Sequence, residues 1–311
     1  MYEVAVRTPL VRLHLPDAPG RPRTGPDVYL KLETLQPVGS FKIRGAWNAV
    51  RHLAPVALRE GVWTVSAGNA AQGVALAARM RGAASRVLVM DTTPATKLRA
   101  LERLGASIVQ APYEECWRTV ETHTSSRMQG HFVHPFDDDR FISGNGTIGL
   151  EIVEDLPDVD AVVAPAGGGG LLAGVATALH ALRPGVRVYA AEPETAAPVA
   201  SSLAAGRPCR FEGWQPSFVD GAGGRSVLDT MWPLLSEHLA GSMVVRLDDA
   251  ARAMALTAER VHVIAEGAAA CAVAAAVGPE LAAAGHRKIV AIVSGGNIDL
   301  GRFASLTGAC A

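Results

Sequence analysis

Short apolar runs of strand length alternate with helix-period segments along most of this chain, and no other feature limits its fold as strongly. Val62 to Val65 reads as a strand and Ala70 to Arg81 as the helix after it. Arg86 to Met90 with Ala95 to Leu104 repeats the pair, then Ser107 to Gln110 with Tyr113 to Met128, and His131 to His134 closes the series. Links this short call for right-handed crossovers and a parallel sheet. The pattern restarts after Asp139: Ile148 to Asp155 is helical, Val159 to Ala164 a strand, Leu171 to Leu182 a helix and Val186 to Ala191 a strand. Pro193 to Asp229, rich in Gly and Pro, reads as an irregular segment wrapped over a site. Asp248 to Val277 reads as helical and Lys288 to Val293 as a last buried strand. The predicted fold is α/β, with two lobes and a cleft between them. Residues 61–137 form the small lobe; 1–60 and 138–311 form the large one. No repeat of solenoid length breaks this plan.

Composition narrows the function classes. With 29 basic and 30 acidic residues the net charge is −1, which gives no reason to expect a nucleic acid or a membrane surface as partner. A small metabolite fits better. The most apolar stretch, Gly267 to Gly278, is mainly Ala and shorter than the roughly 20 residues a bilayer span needs. It reads as a tightly packed helix. Met1 to Leu15 carries charges and Pro9 and has no secretory apolar core. Cys116, Cys209, Cys271 and Cys310 form no C-x-x-C pair, so reduced thiols and a cytoplasmic protein are expected.

Four segments can carry chemistry. In Gly39-Ser40-Phe41-Lys42-Ile43-Arg44-Gly45-Ala46 a lysine stands at a helix start. Lysine condenses with an aldehyde when desolvated enough to lose its proton, although a lone lysine there can equally be a solvated charge. Gly167, Gly168, Gly169 and Gly170 lie between an apolar strand and an apolar helix, where backbone N–H groups and the helix dipole can cup a phosphate. A plain turn remains open. So does a dinucleotide loop, with Glu192 near the acidic spacing, although the G-x-G-x-x-G pattern is absent. Ser66-Ala67-Gly68-Asn69-Ala70 joins a strand to a helix, and Asn69 can be a helix cap. Ser294-Gly295-Gly296-Asn297 follows the last strand and can be a simple turn.

Together and in this order, the four resemble the fold type II family of pyridoxal-phosphate enzymes, most closely the serine/threonine dehydratase and serine racemase branch. The likeness runs from Thr8-Pro9-Leu10 to Asn297-Ile298-Asp299. It includes Leu30-Lys31-Leu32-Glu33, Thr93-Pro94 with Lys97, His134-Pro135-Phe136-Asp137-Asp138, Gly144-Asn145-Gly146-Thr147 and Glu266-Gly267-Ala268.

The resemblance implies that Lys42 binds the cofactor covalently and then acts as a base, with Phe41 beside the ring. Gly167 to Gly170 and the N–H of Leu171 would hold the phosphate. Asn69 would bond the phenolic oxygen, and Ser294 would meet the pyridine nitrogen. Ser66, Ala67, Gly68, Asn69 and Ala70 would receive the substrate carboxylate. A serine at the pyridine nitrogen is a weaker proton source than a carboxylate, which favours loss of a β leaving group over transamination. The implied activity is dehydration and deamination of a small β-hydroxy amino acid such as L-threonine or L-serine, giving a 2-oxo acid and ammonia. Racemisation and β-replacement are the alternatives within the family, and a homodimer is its common state. A non-catalytic binder is the reading from another class, and the intact Lys42 motif argues against it.

Three departures bear on function. Ala70 stands where the family usually has histidine, which suggests an altered pocket open to hydroxyaspartate or a β-aryl serine. Racemases of the branch bind a divalent cation through an A-E-P glutamate and an aspartate six residues later. Glu192 matches the first, but Pro198 replaces the second; one carboxylate with carbonyls is a poor magnesium or calcium site, so no such metal is expected, and a weak or monovalent ion stays open. Asp137-Asp138-Asp139 reads as a solvated run. No regulatory domain is expected after residue 300, and none of the associated feedback. Finally, Ala67 replaces the serine that serves racemases as second acid/base. Little D-serine should therefore form from L-serine in a chiral product assay, and a substantial yield would refute this reading of Ala67.

Overall fold

The computed structural model describes residues 1–15 and 25–308. Cys310 lies outside them. The elements, in chain order, are β1 (Leu10–Arg12), β2 (Asp27–Leu32), α1 (Lys42–Arg51), α2 (Pro55–Glu60), β3 (Val62–Val65), α3 (Asn69–Met80), β4 (Ser85–Met90), α4 (Ala95–Arg103), β5 (Ala106–Ala111), α5 (Tyr113–Thr122) and β6 (His131–Phe132). There follow α6 (Asp139–Asp155), β7 (Ala161–Pro165), α7 (Gly170–Leu182), β8 (Arg187–Pro193), α8 (Pro198–Ala205), α9 (Trp232–His238) and β9 (Leu239–Val245). The chain closes with α10 (Leu247–Val261), α11 (Gly267–Val277), α12 (Pro279–Ala283), β10 (Lys288–Val293) and α13 (Leu300–Gly308).

Two sheets organise these elements. One has the order β1-β2-β10-β7-β8-β9, the other β5-β4-β3-β6. Every pairing is parallel except β1 with β2. The central strands are apolar on both faces because both are covered. In β7, Ala161 and Val163 face one core with α10 and α11, while Val162 and Ala164 face the other with α6 and α7. β10 divides the same way, Ile289, Ala291 and Val293 against Val290 and Ile292. This period of two is what a strand between two helix layers requires. Helix α11 is the Ala-rich segment, buried throughout except at Val277. Its small side chains let a helix axis lie close against the sheet. No helix among the described residues is long and apolar enough to cross a membrane.

The elements differ from the sequence expectations where local cues are weak. The expected helix 113–128 stops at Thr122, because His123 takes the left-handed conformation at φ 59°. The single expected helix 248–277 is two, broken at His262 with φ 60° and restarted at Gly267 behind an extended Glu266. The helix expected from Ile148 begins at Asp139, where the Asp138 side chain accepts from the Phe141 N–H at 2.8 Å. The segment 193–229 is not wholly irregular, since Pro198 opens α8. The edge strands β1 and β9 had no sequence signal of their own; one is short and the other is only half-buried along most of its length.

A buried ion network anchors α1. Arg44 is fully buried and bonds Glu33 through Nε at 2.7 Å and Nη2 at 2.8 Å, and Glu151 through Nη1 at 2.6 Å and Nη2 at 2.9 Å. Lys31, also fully buried, bonds Glu151 at 2.6 Å and donates to the Thr8 carbonyl at 2.6 Å. The Thr8 hydroxyl donates to Glu33 at 2.6 Å, and Tyr2 to Glu151 at 2.8 Å. Two cations face two anions, and most of their hydrogen-bonding atoms are used. Burial alone would raise the Glu151 carboxyl, but the hydrogen bonds and charges of Arg44 and Lys31 outweigh it and hold it below its ordinary value. Its contribution to stability is therefore complete above the ordinary carboxylate range and is lost as pH falls through the depressed value. Removing one partner leaves uncompensated buried charge, so Arg44→Met should cost about 3–5 kcal/mol in urea denaturation. Arg44→Lys should recover only part of this, since an ammonium cannot span both carboxylates.

Candidate active site

The loops after three parallel strands converge, as ligand-binding loops do at the carboxyl ends of such sheets. They follow β3 at Ser66, β7 at Gly167 and β10 at Ser294. The start of α1 is stitched to the last of them. Phe41 N–H donates to Ser294 O at 2.9 Å, Gly296 N–H to Gly39 O at 2.9 Å, and Ser40 pairs with Gly295 in an antiparallel bridge.

Lys42 is the first residue of α1, and its amine donates to the Pro135 carbonyl at 2.7 Å. Its Nζ lies 5.2 Å from the Phe41 ring centroid and 5.4 Å from that of Phe141. Burial pulls its pKa down to about 8, with the nearby Glu266 charge opposing. The carbonyl is held in place by His134. That ring donates from Nε2 to Val120 O at 3.1 Å and accepts at Nδ1 from Asp137 N–H at 2.6 Å, which assigns the tautomer. His123, His134 and Asp137 bring possible ligand atoms within 4.8 Å of one another. Both His134 nitrogens are already engaged, and burial pushes its pKa down to about 4, so this group is a strut for the 134–137 turn.

Asn69 is not a helix cap. It is the first residue of α3, and its side chain makes no capping bond. Instead its Nδ2 donates to Glu266 at 2.8 Å and its Oδ1 accepts from Asn297 at 2.7 Å. Asn297 also donates to Val38 O at 2.8 Å. The second hydrogen of the Asn69 amide has no acceptor among the described residues. Burial, then Asp220, raises Glu266 to about 7 against the Asn69 bond. Sequence reasoning matched Glu266 only as part of a motif and gave it no role. The available signal was an acid directly ahead of a wholly apolar helix. Pro135 contributes only a carbonyl, which no residue type could have announced.

In the glycine loop, the N–H groups from Gly167 to Leu171 have no acceptor among the described residues. They stand at the start of α7, where the helix dipole adds positive potential. Gly169 takes φ +92°, closed to most side chains. A Cβ on Gly168 would lie 2.3 Å from the Phe136 ring. The loop is thus both a donor set suited to a phosphate and a tightly packed turn. Ser294 is buried at 2% exposure, and its hydroxyl has no described partner.

In the Ser66 to Ala70 turn, the N–H groups of Ala67, Asn69 and Ala70 have no acceptor among the described residues, while Gly68 N–H donates to Ser66 Oγ at 3.1 Å. That leaves donors for a carboxylate. A cavity of about 340 Å³ meets this turn at Ser66 and Ala67 and the glycine loop at Gly167 and Gly168. Ala70 is buried in α3 and does not border it. Glu192 uses both oxygens inside the fold, accepting from Val199 N–H and Ala200 N–H at 2.8 Å each and from Ser242 at 2.6 Å. Of the acidic run, Asp137 accepts from Thr230 at 2.7 Å and Asp138 caps α6, so two of the three have fixed structural partners.

A family model described as pyridoxal-phosphate dependent enzyme matches residues 3–295. The chain is 40% identical over 283 residues to an L-threonine ammonia-lyase of Thermotoga maritima, covering 89% of this chain and 69% of that one. It is 38% identical over 288 residues to the serine racemase of Homo sapiens, covering 89% and 83%. The solved structure of the processed threonine deaminase isoform 2 from Solanum lycopersicum superposes with a TM-score of 0.86 at 32% identity, covering 99% of this chain and 89% of that one.

The lowered lysine pKa has a kinetic signature, because only the neutral amine attacks an aldehyde. Uptake of pyridoxal phosphate by the apo-protein should accelerate with pH and level off near pH 8. Lys42 with its ordinary value of 10.5 would keep accelerating past that point. Stopped-flow absorbance across a pH series distinguishes the two.

Proposed function

The chain belongs to the family of pyridoxal-phosphate dependent enzymes, and from that premise we propose that it is an ammonia-lyase acting on a β-hydroxy L-amino acid. The Cα–H and Cβ–O bonds break and water leaves. Hydrolysis of the resulting enamine, through its imine tautomer, takes up water and releases ammonia, so the net products are a 2-oxo acid and ammonia. The cofactor, when bound, supplies the electron sink that makes the α-proton removable.

The chain's own residues supply the rest. Lys42, which would also hold the cofactor aldehyde, takes the α-proton, and its lowered pKa keeps a useful neutral fraction near neutrality. It can return that proton to the departing hydroxyl. The free N–H groups of Gly167 to Leu171 would hold the phosphate, the remaining Asn69 hydrogen the phenolic oxygen, and Ser294 the pyridine nitrogen, with Phe41 beside the ring. The Ser66 to Ala70 turn orients the substrate carboxylate. Across the cleft, Lys97 pairs with Asp220 at 2.7 Å and Thr230 bonds Asp137, contacts that tie the two lobes together beside the site. In this reading residues 61–137 are the small lobe, 1–60 with 138–311 are the large lobe, and the protein works as a homodimer.

The observation that carries the reading is one-sided proton chemistry. Lys42 offers a tunable amine, while Ala67, which borders the cavity, offers no proton to an opposite face. Elimination needs one such group and racemisation needs two. The serine racemase relatives make racemisation the second reading, and β-replacement the third. A panel of L-serine, L-threonine, hydroxyaspartate and phenylserine should release 2-oxo acid from at least one member, and Lys42→Ala should lower that rate roughly a thousandfold or more. A cofactor spectrum that responds to amino acids without 2-oxo acid release would move the assignment to racemisation or β-replacement.

A further inference from the structure

The cavity of about 340 Å³ extends from the site into the four-stranded lobe. Of the residues expected at the cofactor, only Gly167 and Gly168 border it; Lys42, Asn69 and Ser294 lie outside its wall. It is therefore space next to the cofactor site rather than the cofactor site itself. Its near end is the Ser66 and Ala67 turn, where the substrate's carboxylate and α-carbon are expected. On β4 and α5 its walls are apolar or weakly polar, with Leu88, Met90, Cys116, Trp117 and Val120. On the segment that crosses the cleft, apolar Leu228 is joined by the polar Asp220 and Ser226. The Cys116 thiol rests against Ala111 O at 3.8 Å, and burial pushes it up to about 11, so it carries no charge at neutral pH.

Among the described residues no lysine, arginine or histidine borders the cavity, and its one charged wall residue, Asp220, is an anion. Lys97 is paired with Asp220, and Arg225 lies between the rings of Trp214, 4.0 Å away, and Tyr113, 4.8 Å away. The Arg225 stack joins the crossing segment to α5, and Tyr113 also borders the cavity. The methyl of threonine would leave most of this volume unfilled, and a β-carboxylate would enter it without a partner, which is costly. A ring fills it and meets Trp117 and Met90, side chains well suited to aromatic contact.

Resting on the ammonia-lyase reading, we propose that this cavity is the subsite for the substrate's β-substituent, and that the enzyme prefers β-aryl-β-hydroxy L-amino acids to threonine, serine or hydroxyaspartate. Selection operates through Ala67, Cys116 and Trp117.

The test uses the holoenzyme. First, kcat/KM is measured for L-threo-3-phenylserine, L-threonine, L-serine and L-threo-3-hydroxyaspartate, in the wild type and in Cys116→Phe, which fills the cavity. Phenylserine should exceed threonine by about tenfold or more, since even single buried methylenes discriminate to that degree. Cys116→Phe should lower the phenylserine-to-threonine ratio by a similar factor. Second, L-phenylalanine and L-alanine, which have no β leaving group, are titrated against the cofactor absorbance; L-phenylalanine should bind about tenfold tighter. If any substrate is turned over, the kcat/KM ratio decides. Threonine at or above phenylserine overturns the subsite and leaves the lyase reading standing. If none is turned over, the binding ratio decides. Tighter L-phenylalanine then upholds the subsite while the lyase reading fails, and equal binding overturns both.

Discussion

Everything at the site is referenced to the buried quartet of Lys31, Glu33, Arg44 and Glu151. Arg44 lies two residues after Lys42, in the first turn of the same helix, and its guanidinium is gripped from β2's end and from α6. The N-terminal segment joins through Tyr2 and Thr8. A helix start is ordinarily a fraying point. Here it is among the most tightly held places in the molecule, so the amine of Lys42 begins from a fixed origin. The same quartet shows why a charged residue at zero exposure need not be functional: its members neutralise one another and none borders the cavity.

The cleft is spanned by a second polar chain, from Glu266 through Asn69 and Asn297 to Val38 O. Asn69 opens α3 on the four-stranded sheet, whereas Glu266 opens α11 beneath the six-stranded one. A single side chain thus reads the relative position of both sheets. Glu266, raised to about 7, exchanges its proton in the range where Lys42 also titrates. The two are coupled, so a proton gained by one shifts the other.

The fold class and the parallel order were legible because the covered strands are uniformly apolar and the helices between them carry their period. The glycine loop, Lys42 and Asn69 were legible only as motifs in order, since each alone reads equally well as a turn, a solvated charge or a helix cap. What stayed hidden was decided by backbone conformation. His123 and His262 end helices in a left-handed geometry that histidine rarely signals. β9 is only half-buried along most of its length, so its apolar pattern is diluted. Pro135 acts through its carbonyl, and the cavity depends on which side chains from β4 and α5 turn inward. Of the two alanines that depart from the family pattern, Ala70 is buried in α3, whereas Ala67, three residues earlier, meets the open space.

The glycine loop has one further consequence. Phe136 fills the place where a side chain on Gly168 would stand, and the Gly221 carbonyl does the same at Gly167, 2.7 Å from the missing Cβ. The absence of side chains has not made the loop slack; neighbouring residues brace it from outside. A cup built this way is ready before any anion arrives, and little ordering entropy is lost on binding. Preorganisation of this kind means that replacing Phe136 by a smaller residue would loosen the grip on the ligand by freeing the loop.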